Sequence, residues 1–65
     1  MNKELDPLEI RCLAMAARGL SRSEIICQTD VPHDRIEAAF VQAMEKLQAQ
    51  NLAEAIFRAA RMNLI

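Results

Sequence analysis

Asp30-Val-Pro-His-Asp-Arg-Ile-Glu-Ala-Ala-Phe-Val-Gln-Ala-Met-Glu-Lys-Leu47 is the stretch that decides the fold. It reads as a tight turn followed by an amphipathic helix. Stepping about 100° per residue from Ile36 places Phe40, Ala43 and Leu47 on one stripe, with Ala39 and Met44 at its margins. The opposite face carries Asp34, Glu37, Ala38, Val41, Gln42 and Glu45. That face holds three carboxylates and no basic residue, with Arg35 and Lys46 on its flank. What this outward face touches is therefore the functional question.

Working outward, the local signals divide the chain into four helices. Asp6, Pro7 and Glu9 form a start signal, with Leu5 and Ile10 placed as a hydrophobic staple across it. This first helix is expected over about 7–18. Leu8, Ile10, Leu13, Met15 and Ala17 supply apolar contacts, and Gly19 ends it because glycine takes the left-handed conformation without strain. Ser21 and Glu24 make a second capping box, with Leu20 and Ile25 as its staple, for a short helix over 22–29. Val31 is driven extended by Pro32, and the third helix follows over 33–47. No Gly or Pro occurs after Pro32. A break at 48–50 is still expected, because Asn51 and Glu54 form a third cap-and-box pair. The fourth helix is then expected over about 52–62. Residues 1–4 read as a frayed polar tail.

Leu52, Ala55, Ile56, Ala59 and Met62 make one apolar face of this last helix. Ala53, Phe57, Ala60 and Leu64 widen it past half the circumference. A surface helix needs a stripe of roughly 100°. The excess points to a second chain meeting Leu52, Ile56, Phe57, Ala60 and Leu64; alternatively, Phe57 and Leu64 wrap the small core.

Size and composition restrict the function. The 65 residues form a single all-α domain that buries roughly 60% of its unfolded surface and leaves little room for an enzyme pocket. Two Phe and no Trp or Tyr argue against a base-stacking surface. The net charge of −1 provides no broad electropositive footprint. Cys12 and Cys27 lack metal-site spacing and read as reduced cytosolic thiols. His33 stands alone in a turn, with no nucleophile–base pairing in view. No metal, cofactor or small-molecule ligand is expected, nor an enzyme. No apolar run approaches the roughly 20 residues of a membrane span and no signal peptide is visible, so the cytoplasm is the expected compartment.

Helix, short helix, tight turn, longer helix is the helix-turn-helix pattern. The chain resembles the LuxR/GerE-type domain of bacterial transcription regulators. The matching residues are Leu5-Asp-Pro-Leu-Glu-Ile-Arg-Cys-Leu13, Ala17-Arg-Gly-Leu-Ser21, Ser23-Glu-Ile25, Ile36, Ala43-Met-Glu-Lys-Leu47 and Ala55 to Ile65. The resemblance implies a four-helix DNA-binding domain, with the third helix as the recognition helix and the fourth as the dimerisation element. The positions that meet bases or phosphates in that family match Glu37, Ala38, Val41 and Gln42. Here Glu37 replaces a cation, and Ala38, Ala39 and Val41 replace polar groups. Gln42 and Lys46 keep the family character. Thr29 replaces a buried Leu, Ile26 an Ala, Asp30 a Gly, Pro32 a capping Ser or Thr, and Gln48 a Gly.

DNA reading depends on cations at phosphates and on Arg, Lys, Asn or Gln at base edges. Arg11, Arg18, Arg22, Arg35 and Lys46 are the available flanking cations. A modest apolar centre inside a charged rim suits a protein contact instead. The expectation is a stand-alone transcription regulator, without a sensor domain of its own, acting through protein contacts. It would be an antagonist, or a homodimer or heteromer with a LuxR-type regulator, through Asp34, Arg35, Glu37, Ala38, Val41, Gln42, Glu45 and Lys46. The alternative is a sequence-specific DNA-binding homodimer.

Overall fold

The computed structural model describes residues 4–65. Most of the expected polar tail, residues 1–3, lies outside the described residues. Four helices follow in order: α1 (Pro7–Ala17), α2 (Arg22–Thr29), α3 (His33–Leu47) and α4 (Leu52–Arg61). No strand occurs among the described residues. The first and last helices each end one residue earlier than expected, and α2 and α3 match their expected bounds.

Local chemistry sets each boundary. The Asp6 N–H donates to Glu9 Oε1 at 3.0 Å, and Pro7 occupies the first turn of α1, where its missing N–H costs nothing. At α2, Ser21 N–H donates to Glu24 Oε1 at 2.7 Å while Glu24 N–H donates to Ser21 Oγ at 3.2 Å. That is the reciprocal box expected there. At α4 the box is shifted. Asn51 Oδ1 accepts from Glu54 N–H at 2.8 Å, but the Glu54 carboxylate accepts from Gln50 N–H at 2.6 Å rather than from Asn51. Proline has no side-chain acceptor, and α3 begins at Pro32 without a side-chain cap.

The helices stop by left-handed residues. Gly19 has φ +90, and Asp30, Gln48 and Asn63 have φ 58, 56 and 60. After α1, α3 and α4 the residue following the left-handed one closes a six-residue loop. Leu20 N–H donates to Met15 O, Ala49 N–H to Met44 O, and Leu64 N–H to Ala59 O. These bonds satisfy carbonyls that a helix end leaves open. Thr29 instead ties the α2 end with its hydroxyl, donating to Ile25 O at 2.7 Å and accepting from Val31 N–H at 3.3 Å.

The core consists of Cys12, Leu13, Met15, Ile25, Ile36, Ala39, Phe40, Ala43, Leu47, Ala55 and Ala59. The third helix supplies five of these and packs against each of the other three. Its stripe is the one its periodicity dictates. Two apolar placements differ from expectation. Ala17 is exposed, because α1 turns its last residue away from the core it buries with Cys12, Leu13 and Met15. Met62 is 59% exposed, because α4 ends at Arg61 and the chain turns at Asn63 to seat Leu64 instead. No helix among the described residues is long and apolar enough to cross a membrane.

Candidate interaction face on the third helix

Burying Ile36, Phe40, Ala43 and Leu47 fixes the roll of α3, and with it the opposite face. Asp34, Arg35, Ala38, Val41, Gln42 and Glu45 are exposed, and Glu37 is half-buried. Val41 keeps half of its surface in solvent, at 50%. Ala38 and Val41 form a small apolar strip bounded by Asp34 at one end and Glu45 at the other.

Two of the cations near this face are spoken for, and among the described residues Arg35 is not. Lys46, on the flank of this face, turns its ammonium towards α1. Its ammonium donates to Glu9 Oε1 at 2.9 Å and Oε2 at 3.1 Å and stands 3.9 Å from Asp6 Oδ2. Glu9 is the buried carboxylate of the core, 2% exposed. A buried carboxylate requires a paired cation, so this bond has a structural purpose. The hydrogen bond to Glu9 holds the Lys46 ammonium's pKa above its ordinary value.

Arg22 closes the other flank. Its Nε donates to Glu37 Oε2 at 2.7 Å, and its guanidinium lies 4.1 Å from the Phe40 ring centroid. One side chain thus clamps α2 to α3 through a charged hydrogen bond and a cation–π contact. Glu37 also lies 3.6 Å from His33 Nε2. It is therefore an internally partnered carboxylate, where the sequence suggests an outward one without basic company. Asp34 and Glu45 remain the carboxylates available to a partner. Arg35 and Gln42 stand exposed beside a shallow cleft of about 320 Å³ between α1 and α3, with Ala38 and Asp6 on its rim.

On α4 the expected contact set divides. Leu52, Ile56 and Leu64 are half-buried and pack against the chain's own core. Phe57 and Ala60 are exposed, Phe57 at 59%. Arg61 lies over the Phe57 ring, 5.7 Å from its centroid. Phe57 and Met62 open onto a groove of about 420 Å³ that also meets Leu47, Arg58 and Arg61.

Sequence reasoning missed the Glu9–Lys46 and Arg22–Glu37 pairs. A signal for the first exists: Glu9 is spaced three and four residues before Cys12 and Leu13, on the stripe α1 buries. A lone acid on that stripe demands a cation from elsewhere in the fold. The cysteines are unpaired, Cys12 buried and Cys27 exposed, and burial raises the Cys12 thiol's pKa. Among the described residues, no group of three or more His, Cys, Asp or Glu is placed to hold a metal ion.

No family model matches the chain, and searches among curated proteins and solved structures find no match.

Proposed function

We propose that this chain is a cytoplasmic transcription-regulatory module of LuxR/GerE-like helix-turn-helix type that acts through protein contacts rather than by reading DNA itself. The observation that carries this reading is the fate of the charges around α3. Lys46 and Arg22 neutralise Glu9 and Glu37 within the chain. The outward strip retains Asp34 and Glu45 around Ala38 and Val41. Phosphate neutralisation is the main source of DNA affinity, and here two of the flanking cations, Lys46 and Arg22, are already committed. An apolar strip between carboxylates is suited to a basic, partly apolar protein surface.

A second reading, a DNA-binding homodimer, draws on Gln42 and Arg35, exposed on the same side of α3. Gln pairs with adenine and Arg with guanine. Fluorescence anisotropy against genomic fragments at about 0.1 M salt separates the two. The protein-contact reading expects weak binding that is indifferent to sequence. Specific nanomolar binding lost in both Gln42→Ala and Arg35→Ala overturns it. Lys46→Ala is unsuitable for this test, because it strips Glu9 of its cation.

A further inference from the structure

We infer that the outward face of α3 receives one basic amphipathic helix of a partner protein, lying along it. The inference rests on the reading that α3 contacts protein, and it names the kind of partner. Asp34, Ala38, Val41 and Glu45 follow one another at intervals of four, three and four residues, and all of them are exposed. Stepping about 100° per residue keeps them within about 30° of one line down the helix. That repeat is the spacing by which one helix lies in register along another. The middle of the seam is apolar and uneven. Ala38 is small, and the larger Val41 beside it is half exposed. Ala38, Val41, Gln42 and Glu45 are related as i, i+3, i+4 and i+7, the four corners of a hollow that takes one side chain from a facing helix.

The ends of the seam decide what its occupant carries. Glu45 has no ion-pair partner among the described residues, and Asp34, fully exposed, lies 4.0 Å from the His33 imidazole. The two carboxylates stand about 16 Å apart along the axis. A second copy using the same seam sets carboxylate against carboxylate in either direction: Asp34 on Asp34 when parallel, Asp34 on Glu45 when antiparallel. Like charges facing across an interface oppose association, and duplex phosphates meet the same opposition. A helix with a Lys or Arg at each end of a short apolar stripe meets attraction at both ends and a hollow at the middle. A contact one helix wide is small, which suits a transient association.

Two labelled probe peptides test this. One is alanine-rich and about 18 residues long, enough to be helical on its own, with Lys, Leu, Leu and Lys at the same four-three-four spacing. Its twin has Glu in place of both Lys. Fluorescence anisotropy at about 0.05 M salt is expected to show the Lys peptide bound about ten-fold more tightly than the Glu peptide. Asp34→Lys combined with Glu45→Lys is expected to reverse that preference. Ala38→Gln fills the hollow and leaves the charges alone, and is expected to weaken the Lys peptide about ten-fold. All three positions are exposed, and circular dichroism checks that each variant is helical. Equal binding of the two peptides, a preference that survives the charge reversal, or indifference to Ala38→Gln overturns the inference. If neither peptide binds and the chain also ignores DNA sequence, the helical partner is wrong and the protein-contact reading stands. Specific DNA binding through Gln42 and Arg35 removes both.

Discussion

Glu9 performs two tasks at once, and they pull in the same direction. One carboxylate oxygen accepts from the Asp6 N–H that opens α1, and both accept from the Lys46 ammonium near the end of α3. The pair therefore fastens the first helix to the third. Removing either member is not equivalent. Lys46→Met strands the Glu9 carboxylate, buried and without its cation, and is expected to destabilise the fold. Lys46→Met combined with Glu9→Leu removes both charges and is expected to recover most of that loss, as replacement of buried ion pairs by apolar groups often does. Urea titrations of the two variants measure the difference; equal midpoints would show that the pair bears no such asymmetry. The local half of Glu9's work was legible, because a cap is written in a spacing of three residues. Its partner stands 37 positions away, and pairing at that distance depends on how α1 and α3 cross. The same applies to Arg22 and Glu37, whose bond requires knowing how α2 lies on α3. A second test at this scale uses the thiols. Cys27 is exposed and Cys12 fully buried, so a thiol reagent in excess is expected to label Cys27 promptly and Cys12 only as the chain unfolds.

At the scale of the element, the boundaries follow from residues that start and stop helices. Pro7, Ser21 and Asn51 marked three starts from sequence alone, and Gly19 marked a stop. Gln48 was the least legible end, because a long polar residue does not announce a left-handed turn. It adopts φ 56 all the same, so that Ala49 N–H can reach Met44 O at 2.9 Å. The strain is removable. Gln48→Gly is expected to stabilise the chain by about 0.5 kcal/mol, the relief of the left-handed cost exceeding glycine's greater freedom in the unfolded state. Gly19→Ala is expected to destabilise by about 1 kcal/mol. A Cβ at Gly19 meets nothing within 4 Å, so that loss is backbone strain alone. Thermal melts of both variants check the opposite signs.

The caps also set the response to pH. The Ser21 N–H, chiefly, lowers the Glu24 pKa, and the Gln50 N–H, chiefly, lowers that of Glu54. An acid whose folded-state pKa lies below its unfolded one adds stability that is complete above the unfolded value and fades as pH falls. Both contributions are therefore present at neutral pH and are lost below about pH 4.5. Lys46 behaves in the reverse sense. Its raised pKa adds stability that is complete below 10.5 and is lost above it as the ammonium deprotonates. Melting temperature against pH is thus expected to show a plateau between these limits. Glu24→Gln with Glu54→Gln should flatten its acid limb, and an unchanged limb would assign the loss to other carboxylates.

The whole molecule measures 30 × 24 × 19 Å, and a chain of this size has about 3–10 kcal/mol of stability to lose. How far α4 serves the core was hidden from the sequence for that reason. Its wheel shows an apolar arc wider than a small core needs, but the roll of the helix decides which part is used. Leu52, Ile56 and Leu64 went inward, while Phe57 stayed out. For α3 the roll was legible, since Ile36, Phe40, Ala43 and Leu47 make a single stripe, and neighbouring residues supply a direct check. Phe40 is 1% exposed and Val41 50% exposed. Phe40→Ala opens a large void in the core and costs about 3–5 kcal/mol, a loss comparable with the total, so the variant is expected to be largely unfolded at room temperature. Val41→Ala removes surface that solvent already reaches, and is expected to change stability by less than about 0.5 kcal/mol in dilute solution. Urea titrations of the two variants beside the parent measure the contrast, and a Val41→Ala midpoint displaced as far as that of Phe40→Ala would mean that α3 is rolled otherwise than the stripe of Ile36, Phe40, Ala43 and Leu47 requires.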